Sequence, residues 1–213
     1  MNAVSRRYDN IFKKRGINLI AGVDEVGIGP LAGPVVAAAV ILEDGSKIKG
    51  LDDSKKLSPK EREELLNIIV DSSVSVGVGI IDSAEIDLIN ILQASLKAMA
   101  SAVNSLSKRP NHILVDGIRT IPNISIAQTA VKHGDGSSYS IAAASVVAKV
   151  VRDRIMDNYD HVYPQYGFAD HKGYGTEEHI SMINKFGPTS IHRMTFQPVF
   201  EALQSKGLLF MLP

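Results

Sequence analysis

The stretch Ala21-Gly22-Val23-Asp24-Glu25-Val26-Gly27-Ile28-Gly29-Pro30-Leu31-Ala32-Gly33-Pro34 decides how this chain is read. It begins inside an apolar run, Asn18 to Val23, that reads as a buried strand. It then crosses two adjacent carboxylates into a turn punctuated by glycine and proline. Most acids of a globular protein sit solvated at the surface. Asp24 is flanked by apolar residues, and a buried acid needs a cation, a set of donors or a metal. Strand alternation sends Asp24 and Glu25 to opposite faces, so one site can use both only if the strand twists or ends between them. The same residues contain Gly27-x-Gly29-x-x-Ala32, a relaxed dinucleotide-binding fingerprint, which keeps a nucleotide-cofactor α/β enzyme among the alternatives. That fingerprint requires a helix to open at the loop. Here Pro34 and the β-like run behind it point to a strand, and two carboxylates would repel a pyrophosphate.

Working outward, Val35 to Leu42 reads as a second strand, closed by Glu43-Asp44-Gly45-Ser46. Val74, Val76, Val78 and Ile80 alternate with small residues and give a third, so the sheet starts mostly antiparallel. Between them, Ser58 with Glu61 forms a capping box with Pro59 at the first helical position. Ile86, Ile89, Leu92, Leu96, Met99, Val103 and Leu106 predict one long helix over Ser83 to Leu106. His112 to Asp116 is a short buried strand ending in an acid, and Ile124 to Ala127 is expected to be another. Ser140 to Asn158 and Thr176 to Phe186 read as helices, and a C-terminal helix is expected from about Val199. The organisation is one α/β sheet domain leading into a helical C-terminal part.

Composition narrows the function. The 213 residues carry 23 Lys+Arg against 23 Asp+Glu, are 45% hydrophobic and 22% charged, and fit a packed globular protein rather than a disordered or fibrous one. With no cysteine there is neither a disulfide nor a thiolate metal site, and the six histidines show no HExxH spacing. The N-terminal residues lack an apolar signal region. The longest apolar run, Val35 to Leu42, is far below the roughly 18 residues of a membrane span. The expectation is a soluble, cytoplasmic, monomeric protein with no membrane partner. Zero net charge counts mildly against nucleic acid, yet the basic residues are grouped. Lys55, Lys56 and Lys60 cluster at a helix start, and Lys149, Arg152 and Arg154 share one helix. There, a grip on phosphate competes with ion pairing to Asp157. The first fifteen residues hold five basic residues against Asp9, readable as no more than a charged terminus.

Two further acids stand at element boundaries: Asp116 before Gly117, and Asp135 in His133-Gly134-Asp135-Gly136. Singly, each reads better as a turn or cap residue than as a ligand. Together with Asp24 and Glu25 they form the oxygen-only set that hard divalent cations prefer. Two such ions about 3.5–4 Å apart suit phosphodiester hydrolysis.

Over about Asn18 to Phe200 the chain resembles the type 2 ribonuclease H family. Six ordered blocks carry the resemblance: AGVDEVGIGPLAGPVVAAAVIL, LDDSKKLSPKEREEL, ILVDG, GDGSSYSIAAASVVAKVVRDRIM, YPQYGFADHKGYGT and GPTSIHRMTFQPV. It implies a ribonuclease H-like fold, a five-stranded mixed sheet flanked by helices with a helical C-terminal region. Residues 1–160 would form the catalytic domain, with 161–213 packed on it as a single structural unit. It implies an endoribonuclease using Mg²⁺ or Mn²⁺, two ions during catalysis, held by Asp24, Glu25, Asp116 and Asp135. The substrate would be an RNA–DNA hybrid or duplex DNA bearing a single ribonucleotide, cut on its 5′ side to leave a 3′-hydroxyl and a 5′-phosphate. Gly27, Ile28 and Gly29 would present backbone to the 2′-hydroxyl and Tyr174 would pack on the sugar. Lys55, Lys56 and Lys172 would meet phosphate.

Three positions depart from the family pattern: Ile28 where Arg is usual, His133 where Lys is usual, and Thr195 where Ser is usual. Ile28 and His133 keep open a weakened or non-catalytic hybrid-binding relative. The tail Gln204 to Leu209 reads as a helix end or a docking peptide for a partner the sequence does not name.

Overall fold

In the computed structural model, which describes residues 4–208, five strands form one sheet. They are Ile20–Val26 (β1), Val35–Leu42 (β2), Ser73–Ile81 (β3), His112–Asp116 (β4) and Gln128–Val131 (β5), in the order β3-β2-β1-β4-β5. β1 runs antiparallel to β2 and parallel to β4, and β4 runs parallel to β5, so the sheet is mixed. β2 is an unbroken Val/Ala/Ile run, buried through Ile41, as a strand covered on both faces must be. The helices are Arg7–Lys13 (α1), Pro59–Asp71 (α2), Ser83–Ile89 (α3), Ile91–Asn104 (α4), Tyr139–Val162 (α5), Phe168–His171 (α6), Glu177–Phe186 (α7) and Gln197–Ser205 (α8). None of the helices among the described residues is long and apolar enough to cross a membrane.

Small residues bring the helices close to the sheet. A Cβ on Gly22 of β1 would lie 2.1 Å from the Ser140 backbone, so α5 can rest on β1 only because that position has no side chain. On β3 the buried residues are Ser75, Gly77, Gly79 and Ile81, with the Gly77 and Gly79 backbones against α4. The alternating Val74 and Ile80 are exposed instead.

Several expectations are corrected. The helix predicted over Ser83 to Leu106 is two helices, because Asn90 takes a left-handed backbone (φ 66°) between them. Its side chain then caps α4, accepting the N–H groups of Leu92 and Gln93 at 3.1 Å each. The strand expected over Ile124 to Ala127 falls later, on β5. The preceding loop is pinned by Gln128, which accepts from Ile121 N–H (2.8 Å) and donates to Ile121 O (2.9 Å). The charged N-terminal segment contains α1, and its buried Asp9 accepts the N–H groups of Tyr139 (2.8 Å) and Ser140 (3.1 Å) at the start of α5. The capping box of α2 forms as read, with Ser58 and Glu61 bonded reciprocally. The C-terminal helix ends at Ser205, and Leu209 of the supposed docking tail lies outside the described residues.

The chain divides into two compact units. The first takes the residues up to Val26 with Val36–Ile80 and Leu96–Val150. The second takes Gly27–Val35, Ile81–Ser95 and everything from Val151. This differs from the contiguous split at residue 160, because the second half of α5 already carries second-unit residues such as Arg152 and Met156. The core of the second unit gathers Leu31, Ala32, Met156, Tyr166, Phe168 and Ile183 with α8 residues Val199 and Leu203.

Candidate active site

In the first unit, the parallel pairing of β1 with β4 ends at Val23 and Val115. The next residues are Asp24 and Asp116, so both acids sit at the carboxyl ends of neighbouring parallel strands, where α/β sheets commonly open to ligands. β1 continues through Glu25 and Val26 paired to β2 alone. Asp24 is 6% exposed; its Oδ1 accepts the N–H of Glu25 (2.8 Å), and it receives the hydroxyl of Ser145 on α5. Ser145 Oγ in turn lies 2.8 Å from Ser54 Oγ. Asp116 Oδ1 accepts the N–H of Gly134 at 2.6 Å, which fixes the turn carrying Asp135 beside the strand end. That turn is a short 3₁₀ helix, Gly134–Gly136, entered from His133 in a left-handed conformation (φ 55°). Asp135 is buried and faces the Lys55 ammonium at 3.6 Å.

The four acids feel one another. Burial, then the negative charges of Asp116 and Glu25, push the Asp24 carboxyl well above its usual range. Burial and Asp116 push Glu25 up to about 7. Burial and the charge of Asp135 raise Asp116 despite the hydrogen bond from Gly134. Lys55 is raised by Asp135, Asp53 and Asp24 against the burial that works the other way. Glu25 Oε2 is buried with no hydrogen-bond partner. No three acidic, histidine or cysteine side chains among the described residues are gathered tightly enough to enclose an ion as they stand. Mg²⁺ asks for little more than one or two carboxylates, keeping its waters and meeting substrate phosphate. An oxygen-only donor set, raised acids and an orphaned buried carboxylate oxygen fit a hard divalent cation on these counts.

The second unit holds Gly27, Ile28, Gly29, Lys172 and Tyr174, while Lys56, like Lys55, belongs to the first. Gly27–Pro34 is a loop that passes directly into β2, so the helix a dinucleotide fingerprint needs is missing and that reading is set aside. Gly27 (φ 97°) is buried; Ile28 and Gly29 are exposed, and Gly29 lies against Tyr174, whose Cε1 is 3.8 Å from where a Cβ would stand. Two buried arginines hold the loop. Arg193 donates to the carbonyls of Gly27 (2.5 Å), Ile28 (2.9 Å), Pro30 (2.7 Å) and Gly33 (3.0 Å). Arg152 donates to those of Pro34 (3.0 Å), Ala32 (3.1 Å) and Lys172 (3.0 Å). Arg152 is fully buried, which removes it from the phosphate-gripping patch proposed for its helix. Asp157 pairs with Lys172, which also donates to Ala169 O (2.7 Å). Lys56 pairs with Asp52 at 3.0 Å. Thr195 donates its hydroxyl to Asp87 Oδ1 at 2.6 Å, a bond that serine would make equally.

Sequence reasoning did not single out Ser145 or Arg193. Ser145 is the polar residue in an Ala/Val-rich helix start. Arg193 sits among Ile191, His192 and Met194, and a cation with apolar neighbours was the available signal.

An α/β sheet of this order, with acids at the carboxyl ends of its central parallel strands, defines a ribonuclease H-like protein. The family model described as Ribonuclease HII matches residues 21–199, and the chain belongs to that family. It is 55% identical over 194 residues to Ribonuclease HII of Geobacter metallireducens, covering 91% of each chain. It is 51% identical over 192 residues to Ribonuclease HII of Bacillus subtilis, covering 90% of this chain and 74% of that one. The crystal structure of ribonuclease H2 from Pyrococcus horikoshii OT3 superimposes with a TM-score of 0.73 at 26% identity, covering 87% of this chain and 97% of that one. The protein is thus a hydrolase of a nuclease family that depends on divalent metal and acts on RNA–DNA hybrids.

Proposed function

We propose that this chain cleaves the RNA strand of RNA–DNA hybrids, and cuts 5′ of single ribonucleotides embedded in duplex DNA, leaving 3′-hydroxyl and 5′-phosphate ends. Asp24, Glu25, Asp116 and Asp135 would hold the metal, two Mg²⁺ or Mn²⁺ ions. Bound there, such ions supply Lewis-acid stabilisation of the phosphate and a water nucleophile near neutral pH. The protein's own part is to keep those carboxylates together and dry. Ser145 and the Glu25 N–H hold Asp24, Gly134 N–H holds Asp116, and Lys55 faces Asp135. Gly27, Ile28 and Gly29 take the 2′-hydroxyl through backbone, and Tyr174, 43% exposed, offers a ring face to the sugar. The 2′-hydroxyl distinguishes RNA from DNA at a given site. Lys55 is free enough to reach phosphate, whereas Lys56 and Lys172 must first leave Asp52 and Asp157.

One observation carries this reading: Asp24, Glu25 and Asp116, pushed up by burial and mutual repulsion beside Asp135, include a buried carboxylate oxygen with no partner. The test offers a DNA duplex with one ribonucleotide, in Mg²⁺ and in Mn²⁺, to wild type and Asp116→Asn. Cleavage should fall on the order of 10³-fold in the variant, since metal stabilisation of a phosphoryl transition state is worth several kcal/mol. Mg²⁺ should raise the melting temperature of the wild type more than that of the variant. Equal rates would sink the carboxylate assignment. Duplex binding without cleavage in either metal would favour the non-catalytic reading that Ile28 and His133 keep open.

A further inference from the structure

Arg193 and Arg152 are both fully buried, and neither has a hydrogen-bonded carboxylate among the described residues. Their partners are backbone carbonyls. A buried guanidinium spends five N–H donors in a fixed fork, so the carbonyls it gathers must all turn toward one point. The peptide unit is planar and trans, and no cis bond occurs here. Each carbonyl aimed at Arg193 therefore aims the N–H of the next residue the opposite way.

Follow the four peptides bonded by Arg193. Beyond Pro30 the outward N–H belongs to Leu31 and is taken by Gly173 O at 2.8 Å. Beyond Gly33 comes Pro34, which has no N–H. Beyond Gly27 and Ile28 come the N–H groups of Ile28 and Gly29, exposed and without a protein acceptor among the described residues. The arginine thus leaves two adjacent donors open, on the side of the loop away from itself, with a buried positive charge behind them. Gly27 is part of the same construction: a Cβ there would meet Arg152 Nε at 2.4 Å.

We infer that Arg193 is a positioning residue for substrate: by gathering the Gly27 and Ile28 carbonyls it fixes the Ile28 and Gly29 N–H groups as paired donors to the ribonucleotide's 2′-oxygen. This rests on the proposed activity and adds the group that enforces its selectivity. It also accounts for Ile28. Orientation and positive potential both come from Arg193 beneath the loop, so the side chain at position 28 does not set the donor geometry.

The experiment compares wild type with two changes. Arg193→Lys keeps the charge and loses the fork. A backbone ester between Ile28 and Gly29, made by incorporating glycolic acid at position 29, deletes the Gly29 N–H without touching Arg193. Two quantities are read on a duplex with one ribonucleotide and on its all-DNA twin. One is kcat on the first; the other is the ratio of affinities for the two with Ca²⁺ in place of Mg²⁺. A reduced folded fraction would leave that ratio unmoved. Each change should lower kcat about 10-fold and bring the affinity ratio toward one, as for the loss of a donor made for a single substrate oxygen. If Arg193→Lys does not fold, the ester decides alone. A wild-type preference that survives in the ester variant, with kcat within twofold, overturns the inference. A wild type with no ribonucleotide preference overturns the proposed function, and this inference with it.

Discussion

The first unit and the second unit bury charge in opposite ways. In the first, four acids stand near one exposed lysine, with Asp24, Glu25 and Asp116 pushed up and Glu25 Oε2 unbonded. In the second, two arginines are buried more deeply, yet their guanidinium groups are bonded to carbonyls. Burial of charge is costly in either sign unless donors or acceptors replace water. The arginines have that replacement inside the chain. The acids have it only in part: Asp24, Asp116 and Asp135 each accept a backbone N–H, while Glu25 Oε2 has no partner and is left for something that binds. The contrast separates charge that holds a loop in shape from charge that waits for a ligand.

The largest expected effect tests the satisfied side. Arg193→Met would leave the carbonyls of Gly27, Ile28, Pro30 and Gly33 without their donor in a buried site. A buried acceptor left without its donor costs about 1–3 kcal/mol. Urea unfolding should show the midpoint falling accordingly, and a loss under about 1 kcal/mol would mean that the guanidinium holds the loop far less than its bonds imply.

The unsatisfied side should respond with the opposite sign. Glu25 titrates near 7 in the folded protein, against an ordinary value of 4.5. As pH rises above 4.5 the unfolded chain releases this proton first, so the group destabilises the metal-free fold progressively up to about pH 7 and by a constant amount above it. Glu25→Gln should therefore stabilise the chelator-treated protein at pH 8, on the order of 2 kcal/mol, with the gain disappearing near pH 4. It should also weaken stabilisation by added Mg²⁺. A variant less stable than wild type at pH 8 would show that Glu25 is not held unfavourably by its burial.

The sequence made one side of this comparison legible and hid the other. Asp24, Asp116 and Asp135 could be found because each stands where an apolar segment meets glycine, and six ordered blocks then resembled one family. Arg193 depends on carbonyls 160 to 166 positions away along the chain, and no local pattern reports that. The same limit explains β3. Its alternation identified a strand, yet the buried face is the one with Gly77 and Gly79, since α4 approaches closest where side chains are smallest. Asn90 falls inside a helical periodicity that continues across it, and only its left-handed backbone reveals the break between α3 and α4.

A third, smaller effect concerns which cations the second unit tolerates. Thr189 N–H donates to His192 Nδ1 (2.9 Å), so that nitrogen carries no proton. His192 Nε2 must then donate to His179 Nε2 (3.0 Å), and His179 Nδ1 donates to the carbonyl of Tyr174 (2.9 Å). Both rings are neutral, and a proton added to either would set two donors face to face. Burial, then the neighbouring His179, pushes His192 down to about 3; burial chiefly pushes His179 down to about 4. Permanently charged Arg193 is buried with carbonyls around it, whereas the titratable histidines are buried only without charge. Below pH 6.5 the unfolded chain gains protons that the folded rings refuse, so stability falls as pH drops toward the folded values. The loss should be about 1 kcal/mol per ring by pH 6. Replacing both by uncharged residues, as in His179→Gln with His192→Asn, should flatten the stability–pH curve between pH 7.5 and 5.5 whatever it does to stability at pH 8. An unchanged slope would mean that these rings accept protons in the folded state, and that the second unit excludes titratable charge no better than the first.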